Sequence, residues 1–259
     1  MKTFNAILVI AMRDLTKLLR DRGRIAASLI FPLVFIGVLG NSLNSNLSVD
    51  VGFSFLTFVY LGVMGQTVFQ STASGIISLI EDRENDFSQS MFIAPVSRFV
   101  IIFGKIIGES LVAMVQLLGI GVMGFIFQIP FNFSQVLGVV ATVPLIALLG
   151  GGFGTLIMSN LSNQKQANQI FPFLIFPQFF LSGIFSPIKN LPIYLLILSR
   201  ISPMTYAVDL IRSVYYAGSP IYNKVVLHSV STNLLVVTIM FVVMMVAGTL
   251  IFVRNERNR

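Results

Sequence analysis

"ISLIEDRENDFSQSMFIAPVSRF", residues 77–99, is the stretch whose reading decides the fold. Glu81, Asp82, Arg83 and Glu84 are consecutive, Asp86 follows, and the segment closes on Pro95, Val96, Ser97 and Arg98. On both sides run long segments with almost no charge. A bilayer interior has no water to solvate such a cluster, so it belongs to a hydrated loop between two buried or membrane-spanning runs. Composition decides between those two. The chain has 259 residues, 55% hydrophobic and only 10% charged, with a mean hydropathy of +0.88. A soluble domain carries about 25% charged residues. A soluble core also has no need of uninterrupted apolar runs of membrane length. The chain therefore reads as an all-α polytopic membrane protein, one transmembrane domain over 1–259.

A spanning helix needs about 20 mostly apolar residues, and about six segments meet that length. They lie at 25–43, 54–80, 99–127, 136–158, 168–186 and 232–253. Pro172 and Pro177 fall inside the fifth, where neighbouring helices in a bundle can satisfy the freed backbone groups. Ahead of the first span, Phe4, Ile7, Leu8, Ala11, Leu15, Leu18 and Leu19 recur at helical spacing. Asn5, Arg13, Asp14, Lys17, Arg20 and Asp21 fall largely elsewhere on the wheel. The spacing predicts an amphipathic helix over 1–24 lying in the membrane interface. Charges within the first apolar stretch argue against a cleavable signal peptide.

Lys and Arg concentrate in the N-terminal segment, in the 81–98 loop, near Lys165 and at the C-terminus. Such a distribution places both termini and the 81–98 loop in the cytoplasm, and the 187–231 connection outside. Within that connection Ser202 is a side-chain cap candidate and Pro203 suits a first helical position. Met204, Ala207, Val208, Ile211, Val214 and Tyr215 make an apolar stripe, and Asp209 and Arg212 are spaced to pair at i and i+3. This predicts a short amphipathic or re-entrant helix at the outer face, before the last span.

Most catalytic chemistry has no residues to carry it. The chain holds no cysteine and one histidine, His228, so thiolate chemistry and a His or Cys metal cluster within one copy are excluded. His228 reads as an exposed loop residue. "GGGFGT", residues 150–155, lacks the Lys-Ser/Thr ending of a phosphate loop and lies in an apolar run. Gly150 with Gly154, and Gly104 with Gly108, are instead small-xxx-small pairs that permit close helix packing. Lys105 and Glu109 stand one turn apart near the start of the third span and are spaced to neutralise each other, with Lys105 able to snorkel outward. The basic balance, +7, reads as topology signal rather than nucleic-acid binding. Any work this chain performs must draw its energy from another chain.

Here the opening stretch acquires a resemblance. "DRENDFSQSMFIAPVSRFVIIFGK", 82–105, resembles the cytoplasmic loop of type-2 ABC exporter permeases of the daunorubicin-resistance and nodulation-export group. In that group an acidic run leads to a short helix, then Pro-Val/Ile-Ser-Arg, then Gly-Lys opening the third span. Asp82, Arg83, Glu84, Pro95, Val96, Ser97, Arg98, Gly104 and Lys105 match; Asp86 and Gln89 stand where the group often has Gly and Glu. "FPQFFLSGIFSPIKNLP", 176–192, is similar to its fifth span, and "ISPMTYAVDLIRSVYYAG", 201–218, to its outer segment, with Pro203, Tyr206, Asp209 and Arg212 matching.

The resemblance implies a permease subunit of an ATP-driven exporter. Two permease chains pair, as homodimer or heterodimer, each bound to a separate ABC ATPase that carries ATP and Mg, with no cofactor in the permease itself. The setting implied is a bacterial cell membrane. The short cytoplasmic coupling helix docks on the ATPase, so Glu81, Asp82, Arg83 and Glu84 would form a polar rim and Phe87, Met91, Phe92, Ile93 and Pro95 the apolar anchor. A path lined by apolar and uncharged polar groups suits an amphiphilic drug, lipid or lipid-linked cargo. Phe35, Gln66, Phe69, Gln70, Phe176 and Phe180 are its candidate lining by position. The alternative is a secondary transporter or channel working without an ATPase; a lipid-modifying enzyme is disfavoured by the missing catalytic groups.

Overall fold

A computed structural model describes residues 2–40, 42, 52–84, 98–161 and 163–257. Helix α1 runs Lys2–Arg20 and α2 Arg22–Val34, continued by a π-helical turn at Phe35–Gly40. Then follow α3 (Phe55–Glu84), α4 (Arg98–Ile126), α5 (Phe133–Met158) and α6 (Gln164–Leu181). A 3₁₀ turn at Ile188–Asn190 leads to α7 (Ile193–Ile201), α8 (Pro203–Tyr215), the short α9 (Tyr222–Val225) and α10 (Val230–Arg257). No strand occurs among the described residues.

Helices stand at all of the segments read as spans, but among the described residues fewer are long and apolar enough to cross a membrane. Val100–Ile126, Phe133–Met158 and Tyr222–Ile251 are, and α7 with α8, bent by 85°, would make a further span if counted together. The reason α3 falls short is physical. It carries Gln66, Thr67, Gln70, Ser71, Thr72 and Ser74, yet most of its residues from Phe55 to Ile80 are buried inside the molecule. It packs against α4, α5, α6, α8 and the π turn. A helix enclosed by other helices has no need to be apolar on every side. The Tyr222–Ile251 segment, which contains most of α10, is the reverse case: it is the most apolar of the three and the least buried.

Glycines set the close approaches. A methyl group on Gly154 would lie 2.6 Å from the Ala73 carbonyl oxygen, and one on Gly65 2.9 Å from Val208 Cα. A methyl group on Gly108 would lie 3.0 Å from both Ala11 Cα and Asp14 Oδ2. The pairs Gly104/Gly108 and Gly150/Gly154 thus sit where α4 crosses α1 and α5 crosses α3, the close packing that their spacing predicts.

Two expectations are corrected. The apolar side of α1 is split: Ile10, Ala11 and Leu18 are buried in the packing of α1 on α4, while Phe4, Leu8 and Leu19 remain exposed. Asp14, assigned to the polar side, lies on the buried side because a cation waits there in α4. The second correction concerns α8. It begins at Pro203 as the sequence predicts, but 12 of its 13 residues are buried, so of the two alternatives the surface helix is set aside, while the 85° bend between α7 and α8 agrees with the re-entrant one. Ser202 does not cap it; the Ser202 hydroxyl donates instead to Gln178 Oε1 at 3.0 Å.

Overpacking a tight crossing costs about 1–3 kcal/mol. Gly154→Ala, which drives a methyl onto a carbonyl of α3, is expected to lower the thermal unfolding midpoint in detergent. Gly121→Ala in α4, where a methyl would meet nothing within 4 Å, is expected to leave it unchanged or raise it, since alanine is the better helix former. Differential scanning fluorimetry of the pair checks this; equal midpoints would contradict the packing.

Candidate functional site

Three polar centres lie within the apolar frame. The first surrounds α8. Arg212, 3% exposed, donates from Nη1 to the Gly183 carbonyl at 2.8 Å and from Nη2 to the carbonyls of Phe58 at 2.9 Å and Ile184 at 3.2 Å. Its guanidinium carbon lies 3.5 Å from the centre of the Phe58 ring. Gly183 has φ +74°, a turn conformation that favours glycine. Asp209, 2% exposed, accepts from the backbone amides of Leu227 at 2.8 Å and His228 at 2.9 Å. It also accepts from Asn233 Nδ2 at 2.9 Å. The predicted Asp209–Arg212 hydrogen-bonded pair is therefore not formed: Arg212 is held by the carbonyls of Phe58, Gly183 and Ile184 and Asp209 by the amides of Leu227 and His228. Tyr206 donates to the Arg200 carbonyl at 2.9 Å and stacks on the His228 ring. His228 is thus half-buried against α8 rather than an exposed loop residue, with Nδ1 3.5 Å from Asp209 Oδ2.

The second centre joins α1 to α4. Lys105 Nζ donates to Asp14 Oδ1 at 2.9 Å and lies 3.5 Å from Glu109 Oε1, with all three side chains nearly inaccessible. The expected Lys105–Glu109 pair is present, but Lys105 does not snorkel; the nearer partner is Asp14. Glu109 in turn lies against Gly75 of α3, which has no side chain to obstruct it.

The third centre is a cavity of about 260 Å³ framed by α2, α3, α4 and α6. Gln66, Thr67, Gln70, Ser71 and Ser74 line one wall, Gln116 and Ser28 add further polar groups, and Phe31 and Phe179 supply rings. None of these lining residues is ionisable. Gln66 Nε2 donates to Gln70 Oε1. Gln66 Oε1 and Gln116 Oε1 are buried and accept no hydrogen bond.

Of the six residues read as path lining, the structure brings Gln66 and Gln70 onto this cavity. Phe35 lies tilted against Phe31 with ring centres 4.0 Å apart and stacks on Phe185 at 5.0 Å. Phe180 reaches Phe176 and Phe185, and both Phe176 and Phe180 are exposed. Phe69 faces the other way, fully buried against Phe153 of α5. Phe179 and Gln116 were missed, and so were Gln178 and Asn233. The signal available for Gln178 and Asn233 was a carboxamide inside an apolar run. Phe87, Met91, Phe92, Ile93 and Pro95 lie outside the described residues, as do the side chains of Glu81, Asp82, Arg83 and Glu84, whose backbone extends α3.

A helical domain with apolar outer helices and neutralised charges inside is a membrane domain. Residues 5–216 match the family described as "ABC-2 type transporter". The chain is 33% identical over 143 residues to the "Probable multidrug ABC transporter permease YbhR" of Escherichia coli K12, a match covering 54% of this chain and 38% of that one. It is 27% identical over 184 residues to the "Putative transport permease ycf38" of Cyanophora paradoxa, covering 66% and 60%. Against "Nodulation protein J" of Rhizobium meliloti it is 25% identical over 205 residues, covering 77% and 76%. The match thus spans well under half the length of YbhR. The chain belongs to the ABC-2 type transporter family.

Two measurements test the centres. Asp209→Ala frees the amides of Leu227 and His228, so hydrogen exchange at those amides is expected to accelerate by about tenfold or more, while Arg212→Met accelerates exchange around α3 and the 183–184 turn instead. Lys105→Met leaves buried carboxylates without their cation, a change that costs about 3–5 kcal/mol. Limited proteolysis within α1 is expected to follow, and an unchanged cleavage pattern would contradict the ion cluster.

Proposed function

We propose that the chain is the membrane subunit of an ATP-driven exporter. In this reading it carries amphiphilic drugs, lipids or lipid-linked molecules out of the cytoplasm or inner leaflet by alternating access. The observation that carries it is membership of the ABC-2 type transporter family over residues 5–216, joined to a charged segment at 81–98 between two apolar helices. All six apolar segments then span a bacterial inner membrane, with both termini in the cytoplasm. A second permease copy completes the path, and each copy binds an ABC ATPase that holds ATP and Mg; the permease is not itself an enzyme. Glu81 to Glu84 form the polar rim of the docking segment and Phe87, Met91, Phe92, Ile93 and Pro95 its apolar anchor. Gln66 and Gln70, with the rings of Phe35, Phe176 and Phe180, line the path, whereas Phe69 serves helix packing.

The name "multidrug ABC transporter permease" printed for YbhR supports a drug-like cargo. A secondary transporter would place its buried charges on the path. Here Lys105 holds Asp14 and Glu109 at the α1–α4 contact, and none of the three lines the cavity. Affinity purification of the chain from its native membrane is expected to bring down an ATPase. Phe92→Asp is expected to release that ATPase while the unfolding midpoint of the permease stays unchanged. Recovery unaffected by the substitution would remove the docking assignment.

A further inference from the structure

We propose that the cavity between α2, α3, α4 and α6 binds the headgroup of the cargo and selects an uncharged one that both donates and accepts hydrogen bonds, a hydroxyl or amide group on an apolar tail. The proposal rests on the permease reading and names its substrate class.

The lining decides against charge. An anion entering this cavity would exchange its hydration for walls that hold no lysine, arginine or histidine. A cation would find ring faces at Phe31 and Phe179 but no carboxylate, since Asp14 and Glu109 sit with Lys105 in a separate cluster. Either charged group meets a desolvation cost that no opposite charge offsets.

The polar groups decide in favour of a neutral partner with both functions. Gln66 is 3% exposed, and its Oε1, like Gln116 Oε1, is buried without a donor. Leaving a buried acceptor empty is unfavourable, so these atoms call for a donor from a ligand or from water. Gln70 spends its Oε1 on Gln66, and no described acceptor takes its Nε2 protons, which leaves a donor beside those acceptors. Phe31 and Phe179, with ring centres 5.3 Å apart, give the start of a tail an apolar wall. A volume of about 260 Å³ lies below the range of about 300–1,000 Å³ typical for whole drug-sized ligands. It therefore suits a headgroup, with the tail left outside.

The test uses the full chain in lipid nanodiscs and radiolabelled octyl glucoside, octyl sulfate and octyltrimethylammonium below their micelle concentrations. The three share a tail and differ in headgroup. Octyl glucoside is expected to bind about tenfold more tightly than either charged probe. Gln66→Leu combined with Gln116→Leu is expected to abolish that preference, while Phe125→Ala on the exposed side of α4 leaves it intact. Where the double variant fails to fold, Gln66→Glu keeps the shape, adds a negative charge and is expected to shift preference toward octyltrimethylammonium. Equal binding of all three probes, tighter binding of octyl sulfate, or a preference that survives in the glutamine variants would overturn the site, the cavity then holding water only. Binding needs no ATPase. Failure here leaves ATPase capture by the chain intact, and loss of ATPase capture leaves the headgroup preference measurable.

Discussion

Arg212 carries a full charge into the interior and meets three main-chain carbonyls there, from Phe58 of α3 and from Gly183 and Ile184 after α6. A buried guanidinium is tolerated only where its donors are filled in a geometry that suits its fixed fork. α8 can enter the molecule only where α3 and the 183–184 turn present those oxygens together. The glycines of α3 make room. A methyl group on Gly62 would lie 2.8 Å from Arg212 Nη2 and 3.1 Å from Ile184 Cα, and Gly65 admits the backbone of α8 itself. One turn earlier the same helix holds Asp209 against the residues that lead into α10 and against Asn233 within it. One thirteen-residue helix thus ties the central helix, the turn after α6 and the last helix into one body.

Enclosing α3 in this way frees it from the requirement that a membrane helix be apolar. Its glutamines, serines and threonines turn inward, and the apolar surface is supplied by α4, α5 and α10. Hydroxyls on α3 that face inward bond back to their own helix, Thr67 to Val63 and Thr72 to Val68. They therefore need no partner from elsewhere. Gln178 bonds back in the same way, to the Leu174 carbonyl, but Gln66 and Gln70 meet each other instead, and both line the cavity. Polar capacity accumulates where the longest neutral side chains stand.

The helices were legible in the sequence because apolar runs and their charged ends are local signals. So was the start of α8, where Pro203 follows Ser202. What the sequence concealed was the choice of partner. Spacing at i and i+3 says that Asp209 and Arg212 can meet, yet both found backbone groups far along the chain, and nothing local encodes a carbonyl at residue 58. Lys105 shows the same limit: Glu109 is the partner one turn away, but Asp14, 91 residues earlier, is nearer. Asp14 fell on the polar side of α1 by composition alone. A wheel can rank residues by hydropathy but has no knowledge of a buried cation opposite. Phe69 was placed on the path by its position along the chain; its ring lies instead against Phe153 of α5, one residue and about 100° of helix rotation from Gln70.

The ion cluster between α1 and α4 also answers a problem that glycine creates. Gly104 and Gly108 let α1 approach closely, but a surface without side chains offers few ridges to fix where one helix sits along the other. Apolar contacts are non-directional and would be satisfied in more than one register. A buried cation with a carboxylate on the facing helix is satisfied in only one, because a slip of a single turn, about 5.4 Å, would leave the buried Asp14 without its cation and Lys105 with Glu109 alone, at a cost of several kcal/mol. Such a pair adds little net stability over well-packed apolar groups, so its effect is on alignment. Lys105 lies two turns into α4, close after the segment that separates α4 from α3. The alignment of α1 is therefore set at the same end of α4 that the charged segment enters.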